Sequence, residues 1–389
     1  MRRSDDRILT THAGSLPRPA DLTQLYAQRA RGERVDEARI IHQGSVAVES
    51  TVAQQIACGL DIINDGEQQR ESFVLYLRHR LTGLGGSGER KTQADIDRYP
   101  VFKKDLADKA ATARESVSNR DFIPKAIGEI RYLEAGPVQQ ECAALKRLLQ
   151  AHGREPTDTF ITAPSPGIVA AIVQNEHYDS EDRYLQALGD ALRVEYEAIA
   201  KQGFVLQLDC PDLALERHCS YRDRSLSNFL SFCEKVVATI NRAIENIPSA
   251  QVRLHVCWGN YEGPHDCDVP LTEILPVIKQ VKVGALVLPF ANPRHQHEFR
   301  VLKDIPLRAD QILVAGVIDT LTNFVEHPEV VADRLEQIAR VVGDPSRVIA
   351  GTDCGFDTAA GMGRVSEDVV WAKLRAMVAG ARIASTRLF

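Results

Sequence analysis

Val252-Arg253-Leu254-His255-Val256-Cys257 is the stretch on which the reading of this chain turns. A short apolar run of this kind is a strand, and the two-residue period of a strand points His255 and Cys257 to the same side. Working outward, runs of the same character recur near residues 8–13, 60–65, 159–163, 204–209, 285–290, 313–319 and 348–353. Between them lie amphipathic stretches such as 181–202 and 225–246, where leucine, valine and alanine return every three or four residues. Strands alternating with helices predict a parallel sheet wrapped by helices. Eight such units predict an α/β fold of the (β/α)8 TIM-barrel type. The stretch 83–121, rich in Gly, Lys, Asp and Arg, breaks this rhythm. With the residues up to 130 it reads as an insertion, a β-containing excursion above the barrel mouth or a solvated helical decoration.

The 389 residues are long for one domain, but elaborated barrels reach this size, so the expectation is a single domain over 1–389. With 26% charged residues and a net charge of -6, no basic face offers itself to nucleic acid. No apolar run approaches the ~20 residues of a membrane span, and no apolar core follows the charged start Met1–Asp6. A cytoplasmic enzyme of small molecules, with no membrane partner and with room for homo-oligomerisation, is the expectation. Eight cysteines spread over such a chain read as reduced thiols or metal ligands. Cys58, Cys142 and Cys233 fall in helical patterns and read as small core residues.

The chemistry-bearing residues gather at the C-terminal ends of the expected strands, the face on which barrel enzymes build their sites. His12 and Ser15 follow the first, Asp65 and Glu67 the second, Asp209 the fourth, His255 and Cys257 the fifth, Asp319 the seventh, and Asp353 and Cys354 the eighth. One imidazole and two thiols suit Zn2+, with the fourth position left to water or substrate sulfur. Random placement of 11 His and 8 Cys yields roughly 0.2 His-x-Cys pairs. The chain has two; the other, His265-Asp266-Cys267, follows Gly263-Pro264 and reads as an exposed polar turn, with metal binding as the alternative. Asn292–Glu298, dense in polar groups, either supplies an acid, steadies a metal-bound histidine or is a solvated turn.

The strings THAGSLPRP, INDGEQQR, LQLDCPD, LHVCWGNYEGPH, GVIDT and GTDCGF, in that order, resemble the catalytic barrel of cobalamin-independent methionine synthase and its shorter relatives. The resemblance runs from about residue 8 to the end, apart from the insertion. It implies methyl transfer from methyltetrahydrofolate or another donor to homocysteine, with His255, Cys257 and Cys354 matching three zinc ligands. It further implies that Asp209 and Glu67 hold the substrate ammonium and that Ala13-Gly14-Ser15 holds its carboxylate. Asp319, or a histidine on a nearby loop, is the expected general acid. The residues themselves leave Asp209 free to cap a helix before Pro211 and Glu67 free to pair with Arg70.

The chain departs from the family in two respects. Pro289 stands where the family's methionine synthases place a glutamate ligand, and there is room for one barrel where the full-length enzymes have two. The glutamate-free ligand set also resembles epoxyalkane:coenzyme M transferases. Against that reading, two carboxylates suit an ammonium better than a sulfonate. A uroporphyrinogen decarboxylase-like or corrinoid-linked protein is the reading from another class.

Overall fold

The computed structural model describes residues 1–112, 117 and 123–389. Among the described residues ten strands are formed: β1 (Leu9–Thr10), β2 (Leu84–Gly85), β3 (Lys125–Ala126), β4 (Phe160–Pro164), β5 (Gln174–Asn175), β6 (Val205–Asp209), β7 (Val252–His255), β8 (Ala285–Pro289), β9 (Ile312–Ile318) and β10 (Val348–Thr352). Seven of them make one parallel sheet in the order β1-β10-β9-β8-β7-β6-β4. The eighth place is filled by the segment around Ile63. It bridges to Thr159 in parallel, while Ile62 donates its N–H to Thr10 O (3.0 Å) on the other side. The sheet thereby closes, and the expected (β/α)8 barrel is the fold observed, with its second strand reduced to a bridge.

Strand alternation divides the core in two. Leu9, Ile62, Phe160, Val205, Val287, Ile312, Val314 and Ile349 form a small apolar cluster, while Leu206, Leu208, Leu254, Leu286 and Leu313 belong to the larger one with the helices. Neighbouring strand residues thus face opposite sides, which places the small cluster inside the barrel. Above it Arg253 donates to Gln207 Oε1 (2.7 Å) and to His12 O (2.9 Å), and its guanidinium lies 3.5 Å from the centre of the Phe160 ring. Phe160 is fully buried. Phe160→Ala is expected to lower stability by about 3–5 kcal/mol, read as an earlier denaturant midpoint.

Helices Glu181–Lys201 and Leu226–Ala243 coincide with the amphipathic stretches. Each begins at a serine, Ser180 or Ser225, whose hydroxyl accepts from the N–H three residues on. The insertion holds both alternatives at once. It contains helices Ala94–Arg98 and Pro100–Thr112 as well as β2 and β3, which form a small sheet with β5 from outside it. Within the expected insertion, 113–116 and 118–122 lie outside the described residues. No helix among the described residues is long and apolar enough to cross a membrane.

Candidate active site

β7 delivers His255 at its last residue and Cys257 two further on; β10 delivers Cys354 two residues past its end. The parallel sheet brings these ends to one side of the barrel. Their ligand atoms all lie within 4.8 Å of one another, with Cys257 Sγ and Cys354 Sγ 4.0 Å apart, and all three residues are buried. His255 Nδ1 donates to Asp209 Oδ1 (3.0 Å), so the ring is held in place, with Nε2, 3.3 Å from Asp353 O, as the atom that would meet a cation. Gln207 Nε2 donates to the same oxygen (2.7 Å). An imidazole steadied by a carboxylate beside two thiols is a donor set that fits zinc. The contact to Cys354 and the neighbouring His255 hold Cys257 well below the usual thiol range, while the contact to Cys257 and burial push Cys354 up. Burial opposes charge on His255, but the Cys257 thiolate and Asp209 outweigh it and push the imidazole up to about 10.

Beside this cluster opens a cavity of about 150 Å³, into whose wall Ser15, Glu67, Asp209, His255, Cys257 and Cys354 all enter. Glu67 is held there by an unusual backbone, φ 56, following Gly66 at φ 66. Thr162 Oγ1 donates to its Oε1 (3.0 Å), and its Oε2 is buried with no partner. Burial, with Asp209 nearby, pushes its carboxyl up to about 7. Gly14 makes the approach workable, since a Cβ there would stand 2.7 Å from Glu67 Oε1. Gly355 does the same for Ser15, whose Oγ would lie 2.1 Å from a Cβ at that position. The two structural alternatives fail: Asp209 engages His255 and Gln207 rather than a helix start, and Arg70 pairs with Glu195 (3.8 Å).

Two other residues stand apart. Asp319 follows β9 and is half-buried; its Oδ2 accepts from Leu321 N, Thr322 N and Thr322 Oγ1, closing its own turn. It borders a second, smaller cavity of about 20 Å³, shared with Cys257, Cys354 and Pro289. Pro289 ends β8 there without a donor atom. The nearby carboxylate of Asp353 is turned away, accepting from the N–H groups of Phe290 (3.0 Å), Ala291 (2.9 Å) and Asn292 (2.6 Å).

Arg90, Lys91 and Gln93, from the insertion, and Asn260 and Tyr261, from the loop after β7, complete the larger cavity. The insertion gave no motif to mark those three. His265 is not in an exposed turn. It is buried, bonded through Nδ1 to Asp268 Oδ2 (2.8 Å), and Asp268 also meets His295 Nε2 (2.7 Å).

A family model described as "Cobalamin-independent synthase, Catalytic domain" matches residues 8–139 and 139–383. Methionine synthase of Thermococcus kodakarensis is 25% identical over 382 residues, covering 97% of this chain and 94% of the relative. That of Saccharolobus solfataricus is 23% identical over 382 residues, covering 97% and 95%. Among solved structures, a B12-independent methionine synthase from Shewanella sp. W3-18-1, in complex with selenomethionine, superposes with a TM-score of 0.72 at 21% identity, covering 98% of this chain and 99% of that one. A B12-independent methionine synthase described as putative, from Listeria monocytogenes, gives a TM-score of 0.62 at 19% identity, covering 96% and 98%.

Proposed function

The chain belongs to the cobalamin-independent methionine synthase family, and from that premise we propose that it is a zinc-dependent methyltransferase that makes methionine from homocysteine. The observation that carries the reading is the pairing, in one cavity, of a thiol-rich donor set with two carboxylates, Glu67 and Asp209. Zinc held by His255, Cys257 and Cys354 would keep the substrate sulfur a thiolate at neutral pH. Glu67 Oε2, buried and without a partner, is suited to the substrate ammonium, with Asp209 adding the second negative charge. Ser15 would receive the substrate carboxylate. In the transfer a sulfur–carbon bond forms as the donor's bond to its methyl breaks, and the electron pair leaves with the donor, which takes up a proton. Asp319 Oδ2 is engaged by three donors of its own turn, so it is not presented to the cavity that holds Glu67 and Asp209.

The two carboxylates are what disfavour a sulfonate thiol such as coenzyme M. The deciding experiment offers the zinc-loaded enzyme methyltetrahydrofolate, its polyglutamates and epoxypropane, each against homocysteine and coenzyme M. Methionine is expected. Epoxide opening by coenzyme M without methionine under any condition would overturn the reading.

A pH dependence follows from Glu67. Its carboxyl titrates near 7 in the free enzyme, and an ammonium bound beside it favours the ionised form. Binding therefore expels a proton at neutral pH. The KM for homocysteine is expected to rise as pH falls below 7, by up to about tenfold per unit, at constant metal content. A KM flat between pH 5.5 and 8, or one that tracks zinc loss alone, would contradict this role.

A further inference from the structure

Four segments that share no local pattern meet beside the small cavity. The loop after β6 brings His218, the loop after β7 brings His265 and Asp268, the loop after β8 brings His295, and the insertion helix brings Asp95. The side chains of His218, His265, Asp268 and His295 are 5% exposed or less. The imidazoles converge on the Asp268 carboxylate: His265 Nδ1 at 2.8 Å and His295 Nε2 at 2.7 Å from Oδ2, and His218 Nε2 at 3.2 Å from Oδ1.

The far nitrogens settle which form the rings take. His265 Nε2 faces the Tyr261 carbonyl (3.0 Å) and His295 Nδ1 faces Glu298 Oε2 (3.0 Å), both acceptors, so both nitrogens carry hydrogen. A neutral ring then turns a lone pair toward Asp268, which also offers only lone pairs. Something positive must lie between: a proton on each ring, or one cation shared by all.

Protons leave too much unexplained. Although His218 Nε2 comes within 3.2 Å of Asp268 Oδ1, the direction is wrong for a hydrogen bond, and both of its ring nitrogens and Asp268 Oδ1 stay buried without a partner. Protonating His265 and His295 satisfies none of them. A metal off the line joining nitrogen and oxygen would use His218 and Asp268 together. The ligand atoms of His265, Asp268 and His295 all lie within 4.8 Å of one another; since the edges of a tetrahedron of N and O ligands at 2.0–2.2 Å are roughly 3.3 Å, the two contacts to Oδ2 would open by about half an ångström, while His218 reaches the other oxygen of the same carboxylate at 3.2 Å. Two of the far nitrogens have the partners that ligating histidines have, a carbonyl for His265 and a carboxylate for His295. Asp95 is fixed by Tyr261 Oη (2.6 Å) and His265 N (2.9 Å), and the Trp258 indole stacks on His295 at 3.9 Å.

We propose that His218, His265, His295 and Asp268 form a second binding site for a divalent transition metal of the zinc class, distinct from the thiol-containing cluster. The set of three imidazoles and one carboxylate is closed, as in structural sites, and it would clasp the loops after β6, β7 and β8 together, with Asp95 of the insertion bonded to the second of them. It borders the small cavity that also touches Cys257 and Cys354, so it shapes the wall of the site without supplying a reacting group.

The test counts metal in the full-length chain, stripped by chelator and titrated with Co2+ alone. The wild type is expected to bind two equivalents, one showing thiolate-to-cobalt charge transfer. The Cys257→Ser/Cys354→Ser variant should bind one, with ligand-field bands and no charge transfer. Asp268→Asn should bind one and keep the charge transfer, and Glu298→Gln should weaken only the second equivalent, by about 10–100-fold. Should the double cysteine variant fail to fold, wild type against Asp268→Asn decides. One equivalent in both, or a folded double cysteine variant that binds none, overturns the proposal and leaves protonated imidazoles as the explanation; neither outcome touches the methyltransferase reading.

Discussion

Cys354→Ser is expected to leave a folded protein with no measurable turnover and with metal affinity down by more than about 100-fold. The bound is set by the 10–100-fold that loss of a mere hydrogen-bond partner of a ligand costs; removing a thiolate costs more. The barrel should survive, because Cys354 lies beyond β10 while the apolar clusters that hold the strands are built of other residues. Zinc content by elemental analysis, methionine formation and far-ultraviolet dichroism read the three parts separately. A zinc-loaded, active Cys354→Ser enzyme would end the assignment of this residue, and with it the pairing of Cys257 and Cys354 across 4.0 Å as a donor set.

Asp209→Asn should produce the second large loss, by two routes. Asp209 holds His255 Nδ1 at 3.0 Å, and replacing such a partner weakens metal binding by about 10–100-fold. Asp209 also faces the cavity as one of two negative charges, and a lost hydrogen bond to a charged group costs about 1.5–3 kcal/mol, or roughly 10–150-fold in kcat/KM. Zinc in excess separates the routes, restoring the first and not the second. A variant fully rescued by zinc would confine Asp209 to steadying His255. One indifferent to zinc would confine it to the substrate.

How much of this was readable beforehand follows from periodicity. The strands at β4, β6, β7, β8, β9 and β10 announce themselves because each is an apolar run bounded by polar residues, and the sheet then carries His255, Cys257 and Cys354 to one place. The second strand looks as apolar as the rest in Leu60-Asp61-Ile62-Ile63, yet pairs only at Ile63, because the side chain of Asp61 accepts from Thr10 N (2.9 Å) where a ladder would have continued. Loop chemistry has no period. His265-Asp266-Cys267 reads as a polar turn, and nothing in the sequence marks His218 or Asp268. The fold brings them together from positions 218, 265, 268 and 295, and no spacing rule encodes such a meeting. Asp319 shows the converse: its place after β9 suggests chemistry, and the hydroxyl of Thr322 three residues on marks the local turn that its carboxylate also closes.

The single bridge at Ile63 makes the barrel wall unequal around its circumference. On one flank Ile62 N reaches Thr10 O and Asp61 holds Thr10 and Arg7; on the other Ile63 N donates to Asp158 O (3.2 Å) and Phe160 N to Ile63 O (3.0 Å), so side chains rather than a full strand ladder stitch the ring shut here. Glu67 stands just past this seam and Ser15 on its β1 side, so a ligand gripping both would act as a rivet across the thinnest part of the wall. Amide exchange at Ile62 and Ile63 should slow on substrate binding more than at any amide of β8 or β9, which makes the seam a built-in gauge of occupancy.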